Sequence, residues 1–304
     1  MGVRQIFDSV LSEASGYLTT LKFSIIPQSD LILPPMSSKL LKYIVLSLEC
    51  LRDIHNVVMS KASLKPVTLY TLRRGGVRLY STLNSRSPLI IRGNEVLEGR
   101  IVVFTGKPFS LSAISGCEGL VKYSGSKLSV SLVEAVIENV RDITVDVKAG
   151  EPFKIVIHTP LLLSPKLMTP PPMAESKLVT SIKPGYRLLP TPSYIMSAAC
   201  KEWLGIVKEG KVKEHIAPYI VGRLSDITFY EVDVSIKPVT VIYGKTESNK
   251  LKLVRGPIGY IVLTLTTKKL ERITNKLLAF ATRVGIGKSR SLGFGEIEIK
   301  KFKI

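Results

Sequence analysis

The stretch that decides the reading is Gly285–Gly295, GIGKSRSLGFG, close to the end of a 304-residue chain. Four glycines, a lysine and an arginine share its eleven positions. A helical pattern, TKKLERITNKLLAFATRVG (267–285), precedes it, with Leu270, Ile273, Leu277, Leu278 and Ala281 on one face. A β-like run, FGEIEIKKFKI (294–304), follows. Two nucleotide motifs fail on this loop. A Walker A loop needs glycine at 282, where Thr282 stands, and it leads from a strand into a helix. A dinucleotide GxGxxG fits Gly285 and Gly287 but meets Arg290 at its third glycine. Glycines still allow positive φ and close backbone approach, successive amides can form an anion nest, and Lys288 and Arg290 add charge. A plain helix stop needs fewer glycines than this. The expectation is therefore phosphate contact through Gly285, Gly287, Lys288, Arg290, Gly293 and Gly295.

Composition says whose phosphate. Lys and Arg number 43 against 24 acids, a net charge of +19 that draws polyanions through counterion release. Nucleic acid is the first candidate partner. An anionic membrane surface is the second, and no stretch has the length of a membrane span. Residues 1–18 carry Asp8 and Glu13 and lack the apolar run of a signal peptide. Cys50, Cys117 and Cys200 are far apart and odd in number, which predicts a reducing, cytoplasmic setting without a disulfide framework. His55, His158 and His215 are scattered, and no zinc site or other cofactor is expected. Aromatics are 7 % of residues, so the cores should be aliphatic.

Working outward, residues 1–16 read as an arm or short helix. YLTTLKFSIIP (17–27) is strand-like, and SSKLLKYIVLSLECL (37–51) is helical, capped by Ser37 or Ser38. Strands follow in 66–72, 100–106 and 126–140, with a brief helix within 110–119. Strand, helix, strand, strand, short helix, strand is the ferredoxin-like order. DVKAGEP (146–152) reads as a boundary, and the order recurs: a strand at 153–159, a helix within 190–210, β-rich runs at 226–244 and 250–265, then the last helix and strand. The predicted fold is α+β, with two tandem ferredoxin-like (RRM-like) domains at 17–150 and 151–304. Within the first, TLRRGGVR (71–78) reads as a basic β-loop with two readings: RNA contact through Arg73, Arg74 and Arg78, or a merely soluble hairpin. Lys39 and Lys42 share a helix face near the first turns, where cations oppose the helix dipole, so something negative should dock there.

The ordered set of these segments resembles a known family. GIGKSRSLGFGEIEI resembles the C-terminal signature of the repeat-associated mysterious proteins of CRISPR systems. LILPPMSSKLLKYIVLSL, HTPLLLSPKLMTPPP, RLLPTPSYIMSAACKEWLG and VRGPIGYIVLTL resemble, in order, segments of the Cas6 branch, the CRISPR repeat endoribonucleases. The likeness covers nearly the whole chain after about residue 17. It implies two ferredoxin-like domains that bind precursor CRISPR RNA and cut within the repeat without metal. The ribose 2′-OH would attack the scissile phosphate, giving a 2′,3′-cyclic phosphate and a 5′-OH. The implied partners are repeat RNA and a CRISPR effector complex, with a homodimer as a further implied state.

That reaction needs removal of the 2′-OH proton, stabilisation of charge on phosphorus and protonation of the 5′-oxygen. Many members of the family place a histidine after the first helix. His55 stands in that neighbourhood, but its setting in LRDIHNVV predicts packing rather than catalysis. His158 lies in an apolar strand and His215 in a polar loop. The chain resembles instead an archaeal subgroup that uses a basic cluster, whose matching positions are Lys39, Lys42 and Lys65. Lys42 and Lys65 would lie nearest the scissile phosphate, with Arg255 in LVRGPIG reaching the site or a backbone phosphate. Two other readings share the charge and the loop. One is a non-catalytic subunit that holds guide RNA. The other is a tandem-RRM protein, which the absence of an aromatic RNP run disfavours.

Overall fold

The computed structural model describes residues 3–60, 64–85, 87–110, 114–208 and 216–302. Strand β1 (Tyr17–Pro27) lies inside the first sheet because Leu18, Leu21, Phe23 and Ile25 bury themselves completely. It pairs antiparallel with β7 (Leu97–Thr105) on one side and β9 (Ser126–Asn139) on the other, with β8 (Glu118–Tyr123) outside β9. Beyond β7 lie β3 (Val67–Leu69), β4 (Arg73–Arg74) and β5 (Val77–Arg78). With β3 and β4 taken as one interrupted strand, the order is fourth, first, third, second, as in a ferredoxin-like fold. Strands β2 (Leu31–Ile32) and β6 (Ile90–Ile91) form a separate short ladder. Helix α2 (Ser38–Ser47) packs on the sheet through Leu40, Leu41, Ile44 and Val45, and α3 (Arg52–Met59) follows after a short turn.

The second half repeats that order. Strand β10 (Pro152–Ile157) lies between β12 (Leu251–Leu265) and β13 (Ile297–Lys301), with β11 (Phe229–Lys245) outside β12. Helix α4 (Pro192–Val207) opens on a proline whose missing N–H costs nothing there. Helix α6 (Glu271–Val284) leads into the glycine loop. Between α4 and β11 stands α5 (Ile216–Thr228), which the sequence reading left unassigned. Pro218 and Gly222 look like helix breakers, yet Pro218 falls in the first turn, where it is tolerated. A Cβ on Gly222 would lie 2.9 Å from the Ser193 carbonyl, so the glycine lets α5 approach α4.

The first helix, α1 (Val3–Leu11), packs on the second half. Ile6 and Val10 join a core with Trp203, Ala217 and Val221, and the Trp203 indole N–H donates to the Val10 carbonyl at 2.8 Å. A small cluster of Met36, Leu162, Val241 and Phe294 joins the two halves beside the glycine loop. One expectation is overturned here. Cys50 and Cys117 form a disulfide, their Cα atoms 5.6 Å apart across 67 residues of sequence, while Cys200 is free and buried. Packing brings the turn after α2 against the approach to β8, an adjacency that cysteine spacing does not encode. Among the described residues, no helix is long and apolar enough to cross a membrane.

Candidate functional site

The lysines sit where three segments converge. Lys39 and Lys42 project from α2, and Lys65 stands just before β3. Ser37 and Ser38, expected to cap α2, do other work. Ser37 Oγ donates to the Leu79 carbonyl and accepts from the Leu72 amide at 2.8 Å. Ser38 Oγ donates to the Leu292 carbonyl of the glycine loop at 2.7 Å. The start of the lysine helix is thus tied to the first sheet and to the loop, not to its own amides.

Burial and then the charge of Lys42 hold the Lys65 ammonium below the ordinary lysine range. Lys65 Nζ also donates to the Val58 carbonyl at the end of α3, 3.1 Å away. Burial and then Lys252, on β12, do the same to Lys39. Gly244 of β11 makes room for it, because a Cβ there would lie 3.0 Å from Lys39 Nζ. Lys39, Lys42 and Lys65 have no acid partner among the described residues. Arg255 is exposed on β12, opposite Thr240. It stands three residues from Lys252, about 10 Å along an extended strand.

Beside Lys65 opens a cleft of about 900 Å³ between the halves. Its walls include Lys65 and Thr105 from the first half, Lys201 and Glu202 from α4, and Lys288 and Arg290 from the loop. Lys288 and Ser289 are exposed on its rim. The loop glycines themselves face protein. Cβ atoms on Gly285 and Gly295 would meet the carbonyls of Gly295 and Ile286, one on Gly287 would lie 2.8 Å from the Leu162 carbonyl, and one on Gly293 would lie 2.9 Å from Thr71. All four have positive φ. The amides of Gly285, Ile286, Lys288, Gly293 and Gly295 bond to carbonyls within the protein. The nest of anion-seeking amides expected here is therefore largely occupied, and close packing of backbone on backbone explains the glycines.

Arg290 corrects the sequence reading in the same way. It is 5 % exposed, with Nη1 donating to Thr68 Oγ1 at 3.1 Å and Nη2 to the Lys65 carbonyl at 3.2 Å. Nη2 lies 2.8 Å from Glu202 Oε2, off the line of a hydrogen bond, and that oxygen has no hydrogen-bond partner among the described residues. Burial pushes the Glu202 carboxyl up, against the pull of Arg290. The guanidinium is engaged inside the protein.

Arg73 and Arg74 both have carboxylate partners. The β4–β5 hairpin turns on Gly75 and Gly76, both at positive φ, and lays Arg73 and Arg78 against Glu296. Arg100 lies 3.5 Å from the same carboxylate, which is 2 % exposed, and stacks on the Tyr70 ring at 3.7 Å. Burial would raise the Glu296 carboxyl, but the Arg78 hydrogen bond and the charges of Arg73 and Arg100 outweigh it and hold it below the usual carboxylate range. Arg74 pairs with Glu95 at the surface. His55 hydrogen-bonds the Val45 carbonyl, as a packing residue would, and His158 bonds Glu298. His215 lies outside the described residues.

Glu202 and Lys252 were not singled out in the sequence, and Ser38 was read only as a helix cap. Only Glu202 carried a signal: with Ile195, Ala199 and Ile206 it falls on the buried stripe of α4, an acid where spacing calls for an apolar residue.

Comparison with known proteins adds the family. The Cas6 N-terminal domain matches residues 19–138, and the family described as CRISPR-associated endoribonuclease Cas6 matches residues 155–297. Two curated relatives from Saccharolobus solfataricus, CRISPR-associated endoribonucleases Cas6 1 and Cas6 2, are 26 % and 27 % identical to this chain. They cover 92 % and 93 % of it, and 96 % of each relative is covered. A solved Cas6 product complex superposes with a TM-score of 0.58 at 17 % identity, over 93 % of this chain and 99 % of that one.

Proposed function

The chain belongs to the Cas6 family of CRISPR-associated endoribonucleases, and from that premise we propose that it cuts precursor CRISPR RNA within the repeat at the Lys42–Lys65 site, without metal. The carrying observation is that Lys65, at the cleft, feels the charge of Lys42, and Lys39 that of Lys252, while Lys39, Lys42 and Lys65 have no acid partner among the described residues. Mutual repulsion is unfavourable in the free protein and is relieved when a phosphodiester arrives.

In this reading the ribose 2′-oxygen attacks phosphorus as its proton passes to water. The P–O5′ bond breaks, leaving a 2′,3′-cyclic phosphate, and the departing oxygen takes up a proton to become a 5′-OH. Lys65, whose ammonium gives up its proton more readily than an ordinary lysine, serves as the donor. Lys42 stabilises the charge that builds on the phosphoryl oxygens. Lys39 and Lys252 hold the flanking backbone, with Arg255 further along the ribbon and Lys288 at the cleft rim. Orientation of the RNA for in-line attack supplies much of the remaining acceleration.

The test is incubation of the protein with a labelled repeat RNA in EDTA, with and without a 2′-deoxy sugar at the mapped cut. A single cut, lost with the deoxy sugar, is expected. Tight binding without a cut would replace this reading with that of a guide-RNA-holding subunit.

A further inference from the structure

The three-residue turn Arg290–Leu292 touches both lysine-bearing segments of the candidate site. From one end, Arg290 donates to the main-chain carbonyl of Lys65 and to Thr68 Oγ1. From the other, the Leu292 carbonyl accepts from Ser38 Oγ, one residue before Lys39. Gly293 then passes between Thr71 and Ser38, where a Cβ would lie 2.9 and 3.3 Å from them. The loop therefore fits in one register against both segments.

We propose that Arg290, held by Glu202, and Ser38 are positioning residues of the cleavage site: through this turn they set the separation between Lys65 and the lysines of α2. The inference rests on the function proposed above.

Burying the Arg290–Glu202 pair is costly. A guanidinium and a carboxylate, each 5 % exposed, lose several kcal/mol of hydration apiece, and an apolar anchor of similar volume would hold a loop at least as well. What an apolar anchor lacks is direction. Arg290 has donors fixed in a plane, and they go to the Lys65 carbonyl, Thr68 Oγ1 and the Val284 carbonyl at 3.2, 3.1 and 3.2 Å. Thr68 Oγ1 itself donates to the Val284 carbonyl at 2.6 Å, so the end of α6, the start of β3 and the loop share one network. Glu202 reaches it from α4, the rigid element on the far wall of the cleft. The charged groups that share the cleft with Lys65 are Lys201, Glu202, Lys288 and Arg290, with Lys42 acting on it from α2.

A purely structural role would predict loss of stability and of activity together. A positioning role predicts a rate loss at constant affinity, and a change at Lys65 itself. The experiment compares wild type, S38A, E202Q and R290M in single-turnover cleavage of repeat RNA and in RNA affinity. It also follows the titration of Lys65 by NMR of ¹³C-methylated lysines, assigned with Lys65→Arg. Ser38→Ala should slow cleavage about tenfold and Arg290→Met about a hundredfold, the scale of a misplaced catalytic group. Affinity should change by less than about threefold, and the Lys65 titration should move up as Lys42 relaxes away from it. Ser38→Ala removes one oxygen and should keep the urea midpoint of the wild type, so it carries the test with Glu202→Gln if Arg290→Met does not fold. Wild-type rates and an unmoved Lys65 titration in folded S38A and E202Q would overturn the inference. If wild type binds RNA and does not cut, the proposed function fails, and the Lys65 titration still decides whether the turn sets the spacing.

Discussion

Two clusters of cations in this molecule are treated in opposite ways. Around the cleft, burial and then a neighbouring cation, Lys252 for Lys39 and Lys42 for Lys65, hold those two ammonium groups below the ordinary lysine range. Around Glu296, three arginines converge on one buried carboxylate, and nearby Arg283 pairs with Glu138 at 2.7 Å. Arg290 has Glu202. The arginines are held by carboxylates and join the two halves, since Arg73, Arg78 and Arg100 come from the first sheet and Glu296 from the approach to β13. The lysines are left unneutralised. A net charge of +19 therefore does not say which cations wait for a polyanion; the presence or absence of a carboxylate beside them does.

The strongest way to break this comparison is Glu296→Gln. Removing the buried acid of this cluster leaves three arginines facing each other, and the loss should be about 3–5 kcal/mol in urea unfolding. An unchanged midpoint would show that these arginines do not depend on it. The acid limb tests the same point without mutation. The native-state Glu296 carboxyl titrates below its ordinary value of 4.5, so its contribution is present above that value and is lost as pH falls through the lower, folded value. Thermal midpoints measured from neutral pH downward should drop in that window and should drop less in Glu296→Gln.

At the other cluster the expected losses are in rate. Lys42→Ala and Lys65→Ala should each slow cleavage about a hundredfold or more with little change in affinity. A loss of affinity equal to the loss of rate would place these lysines with the binding groups. The pH–rate profile sharpens this. If Lys65 donates the proton, cleavage should decline as pH rises through its lowered value, before an ordinary lysine of 10.5 would titrate. Lys42→Ala should move that limb upward, because it removes a repelling charge. The smallest effect belongs to the rim. Lys288→Ala should weaken RNA binding modestly and reduce the salt slope by about one, whereas a substitution that breaks the Arg73–Glu296 pair should leave the slope nearly unchanged.

Much of the fold was legible because local pattern and tertiary packing agree. The apolar spacing of Leu40, Leu41, Ile44 and Val45 marks α2, and alternation in 17–27 marks β1. Where they disagree, the reading failed for identifiable reasons. Pro218 and Gly222 hid α5, since each is placed where a helix tolerates or needs it. The disulfide was hidden by the sequence separation of 67 between its cysteines. At the site, residue type was legible and orientation was not. Arg290 and Lys288 lie two positions apart in one loop, yet one guanidinium is buried against Glu202 and one ammonium is exposed on the cleft rim.

By itself the sequence determined the order of elements, the excess of positive charge, the glycine loop and the lysines on α2. These follow from hydrophobic period, composition and local backbone preference, all of which act over a few residues. Only the tertiary structure decided which cations are paired and which are free, because pairing depends on groups more than a hundred residues apart, such as Arg73 and Glu296. It also decided that the glycines serve backbone contact with Leu162, Thr71 and one another. A glycine's purpose is set by what stands against its missing Cβ, and that neighbour is chosen by the fold.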